Sequence, residues 1–279
     1  MLTISVALVS EVKDHDPSDV AKVTAALQRQ AIRDFRKLWK VEATVDAFPT
    51  LEDVPVGYWP ILVQEDIKTP GAAGVHLDKD GQPFALVAMS NSWSLTASHE
   101  LLEMLADPFG NRLVPGQSPK ADQGRVEFLV EVCDPPEAEQ FAYTVNDILV
   151  SDFITPHFYD PVKSASVQYS FTGAIKAPRT ILKGGYISFH DPVSDHWWQQ
   201  TWFGTKATFR DLGVFSTATA GMPLRAWIDS QTDHPGIDQG LKKSNPALTA
   251  AVKLGKSTTK SSNAKAKAWR AQISEILKG

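Results

Sequence analysis

The sequence predicts an α+β fold: a mixed β-sheet, a long packing helix, a second helix that carries the chemistry, and a smaller C-terminal region. Three observations predict it. Strand-like and helix-like periods alternate along the N-terminal part of the chain. A later helical stretch gathers its ionisable groups into one seam. A loop-rich stretch with short strands then leads to a Trp-rich segment and a basic tail. At 279 residues, with 43% hydrophobic and 22% charged residues, the chain is long enough to bury a substantial core and has an ordinary globular composition.

Taken in order, Thr3 to Val9 reads as the first strand. Asp16-Pro17-Ser18-Asp19 supplies a helix start, with Asp16 as N-cap and Pro17 at the first helical position. Val20, Val23, Leu27, Ala31, Phe35 and Leu38 follow at three- and four-residue intervals, one apolar stripe of a long helix. Val41 to Phe48 and Trp59 to Gln64 read as further strands. Asp80-Gly81 predicts a hairpin, and Gln82 to Met89 predicts a strand leading into the second helix. After Pro108 the pattern through Gly116 is loop-rich. Val126 to Cys133 and Ile148 to Ile154 are strand-like.

The second helix contains Ser98-His99-Glu100-Leu101-Leu102-Glu103 and ends at Ala106-Asp107-Pro108. The string H-E-x-x-E differs by one residue from the H-E-x-x-H signature of zinc hydrolases, in which the outer residues ligate the metal and the inner Glu polarises its water. At ~100° per residue, Ser92, Thr96, His99, Glu100, Glu103 and Asp107 share one face, and Leu95, Ala97, Leu101, Leu102, Met104 and Leu105 fill the remainder. The carboxylates of this seam repel one another unless protons or a cation intervene. The competing reading makes His99 a core residue bonded to Glu103, with Glu100 at the surface. A seam free of Lys and Arg favours the metal. His99 and Glu103 are therefore the expected ligands and Glu100 the expected general base, with Glu127, Glu131 and Asp134 the nearest downstream oxygen donors. On a straight helix the Cα of Asp107 would lie ~12 Å from that of His99, so it suits bracing the turn at Pro108 better than ligation. Arg112 is a candidate to pair with it.

Charge and cysteine content exclude other classes. The only cysteine is Cys133, which rules out intrachain disulfides and a Cys-based zinc site. The N-terminus lacks a basic region and reads as a strand, and no apolar run approaches the ~18 residues that cross a bilayer, so a cytoplasmic protein without membrane contact is expected. Residues 241–279 hold nine Lys and Arg against one Glu, whereas residues 1–240 hold 19 basic against 31 acidic groups. The tail reads as a flexible basic linker with a short helix over 266–277 that carries Trp269, Ile273 and Leu277 on one face. The acidic body argues against nucleic acid as a partner. Between Phe189 and Phe203, two His-Asp pairs lie beside three Trp residues; packing is the expectation, since no ligand spacing matches a standard site.

The H-E-x-x-E-x-x-x-D-P string, with Glu131-Val132-Cys133-Asp134 and Val150-Ser151-Asp152-Phe153 downstream, resembles a group of bacterial proteins similar to zincin metallopeptidases. The resemblance covers roughly residues 60 to 160. It implies a zincin-like fold, expected over 1–172; composition and charge set off a Trp-rich extension over 173–240 and the tail over 241–279. It also implies a divalent metal, zinc first, held by His99 and Glu103, with Glu131 or Asp134 completing the shell and Glu100 as base. The implied function is a metal-dependent, peptidase-like hydrolase acting on a peptide or protein. The alternative is a non-catalytic zincin-like protein with a carboxylate-rich cation site. Edge strand Val75 to Leu77, or Phe84 to Val87, would pair with an extended substrate, and Tyr159 or His157 would stabilise the oxyanion.

Overall fold

A computed structural model describes residues 3–69 and 71–232. The basic tail and its expected 266–277 helix lie outside the described residues. The fold is mixed α+β, with several sheets and few helices. Among the described residues, no helix is long and apolar enough to cross a membrane.

The first sheet comprises β1 (Ile4–Ser10), β2 (Ala43–Phe48), β3 (Trp59–Gln64), β4 (Gly74–Lys79) and β5 (Gln82–Ala88), in the order β2-β1-β3-β5-β4. The first four in that order run parallel, and β4 returns antiparallel at the edge. Its inner strands are apolar on both faces, with Val6 to Val9, Ile61 to Val63 and Phe84 to Val87 buried, because side chains cover both sides of the sheet. The β4–β5 turn falls where expected, with both Asp80 and Gly81 at positive φ, the backbone of a tight two-residue hairpin.

Helix α1 (Pro17–Arg29) starts as the sequence predicts: Asp16 accepts the Ser18 N–H at 2.8 Å, and Pro17 occupies the first turn. The predicted stripe from Val20 to Phe35 is buried. The helix is not uniform, however. It widens into a π-helical segment, Gln30–Phe35, before α2 (Arg36–Trp39) and a left-handed Lys40 close it. Gln30, at the start of that segment and fully buried, accepts the Ser98 hydroxyl at 2.8 Å and donates to the Ser151 carbonyl at 3.0 Å. Such bulges redirect a side chain without ending the helix. Here the bulge ties α1 to α3 (Trp93–Ala106), which packs against β4 and β5.

The second sheet was mostly illegible in the sequence. It joins β6 (Leu113–Gln117), β7 (Arg125–Leu129), β10 (Tyr186–Asp191), β11 (His196–Thr201) and β12 (Thr208–Gly213) in the order β12-β11-β10-β7-β6. Strand β6 occupies part of the stretch expected to be loop. It is an edge strand, the one place where its Pro115 needs no ladder partner on its missing N–H. Strand β7 stops at Leu129, short of Cys133, and β9 (Ile148–Val150) stops short of Ile154 after a small hairpin with β8 (Tyr143–Val145). The Trp-rich segment is the β10–β11 hairpin, and β7 pairs with β10 through Phe128–Phe189. One sheet therefore spans the expected division at residue 172. After the short α4 (Thr217–Ala220), α5 (Leu224–Gln231) buries Ile228 against Leu129 and Trp197.

Candidate metal centre

The seam of α3 faces inward, toward β4, the loop after β7, and α5. Helix α3 is fixed at its middle and at its C-terminus. Its Ser98 hydroxyl accepts the Ser151 N–H at 2.9 Å. At its C-terminus, Asp107 accepts the Arg112 N–H at 2.7 Å, and the Arg112 guanidinium donates to the Ala106 carbonyl at 2.8 Å. Asp107 and Arg112 thus brace the helix end, as the sequence reading expected.

His99 points Nε2 at two carboxylates: 3.4 Å from Glu103 Oε1 and 3.1 Å from Asp134 Oδ1. These three ligand atoms all lie within 4.8 Å of one another. Glu103 and Asp134 are fully buried, and the His99 side chain is 14% exposed, giving the group a path to solvent. The Asp134 oxygens make no well-formed hydrogen bond. A buried carboxylate left in that state is costly unless a proton or cation meets it. The donor set of one imidazole and two carboxylates is one that divalent ions accept. These buried His, Glu and Asp groups could hold a metal ion.

Of the two downstream candidates, Asp134 converges on His99. Glu131 turns elsewhere: its Oε1 sits 2.7 Å from Arg225 Nη1, and it belongs to neither ligand group among the described residues. Strand β7 ends at Leu129, so the alternation that would put residues 127, 129 and 131 on one face no longer holds at Asp134. The backbone here is held by the Tyr186 N–H on the Asp134 carbonyl at 3.1 Å and the Cys133 N–H on Glu103 Oε1 at 3.2 Å. Gly185 permits the close approach, since a Cβ there would lie 2.3 Å from the Pro135 carbonyl oxygen.

Two members of the site were not anticipated. His76, at the centre of β4 and 1% exposed, places Nδ1 3.6 Å from Glu100 Oε2 and 3.4 Å from Glu103 Oε2. Neither of its ring nitrogens makes a proper hydrogen bond, and His76, Glu100 and Glu103 form a second convergent group. Glycine at position 74 lets β4 press onto α3: a Cβ there would lie 2.5 Å from Glu100 Oε1. Glu100 is accordingly buried, contrary to the competing reading that put it at the surface. The second unanticipated member is Arg225 of α5. Its Nη1 lies 3.1 Å from Glu103 Oε2, its Nη2 3.8 Å from Asp134 Oδ2, and its Nε 2.9 Å from Asp229 Oδ1. A lone His in a strand and an Arg 122 residues from its partner carry no spacing signal; only the small residue at 74, beside a charged helix, hinted at close packing.

Electrostatics follow from burial and crowding. Burial pulls the His76 pKa down, but the adjoining Glu100 and Glu103 carboxylates outweigh it and raise it to about 9. For His99, too, burial is outweighed, chiefly by the Glu103 charge, and its pKa stands well above the usual imidazole value. Glu103 is drawn well below the carboxylate range by His99 and Arg225 despite its burial. Glu131 is driven well up by burial, with Arg225 opposing and Asp134 adding. Glu137, whose Oε2 is shielded and unbonded, is raised to about 8 by burial and the Asp134 charge. The crowd of carboxylates thus favours the charged form of both imidazoles beside the Arg225 guanidinium, and the neutral form of Glu131 and Glu137.

The other expected residues belong to neither convergent ligand group among the described residues. His157 is exposed and bonded to Asp160 at 2.9 Å. Tyr159 is buried, its hydroxyl unbonded, and its pKa is raised by burial and then by the Glu131 charge. In the β10–β11 hairpin, His190 bridges Glu127 and Asp195 at 3.1 and 3.0 Å, and His196 meets Asp211 at 2.9 Å. Among the described residues, neither His belongs to a convergent group of three ligands. No family model matches the chain, and none of the curated proteins or solved structures compared with it matches.

Proposed function

We propose that the protein is a zincin-like, metal-dependent hydrolase of the peptidase type, with zinc held by His99, Glu103 and Asp134. The observation that carries this reading is the convergence of His99 Nε2, Glu103 Oε1 and Asp134 Oδ1. A divalent ion there would supply Lewis acidity toward a carbonyl oxygen and lower the pKa of water. Glu100, one residue along the helix, has an Oε2 without a hydrogen bond. In this reading it takes a proton from the attacking water and returns it to the leaving amine. Strand β4 lies at the sheet edge, with β5 as its partner among the described residues, so its outer backbone groups suit pairing with an extended peptide.

Glu100→Gln tests this directly. Hydrolysis of a broad peptide library by the metal-loaded chain should fall by about 10² or more, the usual scale of an acid–base group, with metal content unchanged. Cleavage equal to the parent would remove Glu100 from the mechanism. A second reading, a non-catalytic protein with a structural cation, draws support from Arg225, which already places one positive charge among the carboxylates. Metal that raises the melting temperature while no library peptide is cut would favour it.

A further inference from the structure

Glu103 and Asp134 each divide their two oxygens between two cationic positions. Oε1 of Glu103 and Oδ1 of Asp134 face His99 Nε2, at 3.4 and 3.1 Å. Oε2 of Glu103 and Oδ2 of Asp134 face the Arg225 guanidinium, at 3.1 and 3.8 Å. Arg225 is itself held rigidly. Its Nε is bonded to Asp229 one turn along α5, Nη1 also meets Glu131 at 2.7 Å, and α5 is anchored by the buried Ile228 and by the Gln199–Thr232 bond of 2.9 Å to β11. A guanidinium is a planar fork that fixes the direction of every bond it makes.

We propose that Arg225 is a positioning residue of the metal centre: its hydrogen bond takes the outer oxygen of Glu103, so that Glu103 offers its inner oxygen alone to an ion on His99, while its charge lies 3.8 Å from the outer oxygen of Asp134. This rests on the hydrolase reading and extends it. A divalent ion bound by one imidazole and two carboxylates is neutral, whereas one bound by two imidazoles and one carboxylate carries a single positive charge. The guanidinium on the outer oxygen of Glu103 draws negative charge away from the inner one, so the ion keeps more of its Lewis acidity than it would beside an unpaired carboxylate. It also takes up the Glu103 oxygen nearest His76, so the His76 group already has a resident cation. The catalytic unit therefore includes α5.

Cobalt(II) titration of the metal-stripped full-length chain tests this, because the visible absorption of Co²⁺ falls severalfold as coordination rises from four to six. The wild-type chain should bind one Co²⁺ with the strong four-coordinate spectrum. In Arg225→Gln, Glu103 is free to chelate through both oxygens. The band should then weaken severalfold, and affinity should fall by about 10- to 100-fold, the usual effect of losing an outer partner of a ligand. Arg225→Lys keeps the charge but loses the fork. It should show the weakened band with affinity within about tenfold of wild type, and it decides the matter if the Gln variant does not melt cooperatively. A folded variant of either kind with the wild-type spectrum and affinity overturns the role of Arg225. A wild-type chain that binds no Co²⁺ overturns the hydrolase reading, and this inference falls with it.

Discussion

Two regions of the molecule look alike in composition and differ in state: the α3 seam with its surroundings, and the β10–β11 hairpin. Both bring His residues beside Asp and Glu. In the hairpin each imidazole already has its carboxylate, His190 with two and His196 with one, and Asp195 and Asp211 are 75% and 40% exposed. In the seam the carboxylates are buried, more numerous than their cations, and in part without hydrogen bonds. A satisfied pair at a surface contributes little and calls for nothing further. A convergent, buried, unsatisfied set calls for a proton, a guanidinium or a metal. Burial and lack of partners, not the mere presence of His and acid, separate a candidate site from an ordinary surface network.

The largest effect expected from this contrast lies at Arg225. Arg225→Ala would leave Glu103 and Glu131 buried beside Asp134 and without the guanidinium they share. Removing one partner of a buried ion pair costs about 3–5 kcal/mol, and urea unfolding of the metal-free chain should register a loss of that size. A loss under about 1 kcal/mol, the scale of an exposed pair, would erase the distinction between the two regions.

A smaller effect is expected from pH. Folded Glu137 holds its proton up to about 8, against 4.5 for an ordinary Glu, so between those values the unfolded chain binds fewer protons and stability falls as pH rises. His76, raised from 6.5 to about 9, contributes stability that is complete below 6.5 and is lost as pH climbs through 9. Both act in the same direction. In the presence of chelator, the melting temperature should decline from pH 4.5 toward pH 9. A melting temperature that climbs across this window would mean that the cluster is not electrostatically strained. The smallest effect belongs to the hairpin. His196→Asn should change stability by no more than about 0.5 kcal/mol and leave metal content untouched.

Much of the first sheet was legible because its signals are local. Asp16 and Pro17 start α1, Asp80-Gly81 turns β4 into β5, and the seam from Ser92 to Asp107 follows a single helical period. The second sheet was hidden because its partners are remote: Phe128 pairs with Phe189 across a stretch of irregular backbone, and Pro115 disguises β6. Within the site, His99, Glu100 and Glu103 share one helix, and their spacing announces them. The choice between Glu131 and Asp134 depends on where β7 gives way to loop, a matter of tertiary contact with residues 182–186. His76 and Arg225 reach the cluster from other elements, and no local pattern marks either.

Calorimetric titration of the metal-stripped full chain with zinc bears most directly on the central claim. The wild-type chain and a His190→Ala, His196→Ala variant should each bind one equivalent, and a His99→Ala, Asp134→Ala variant should bind none. Binding that survives loss of His99 and Asp134, or that disappears with His190 and His196, would contradict the assignment of the α3 seam as the metal centre.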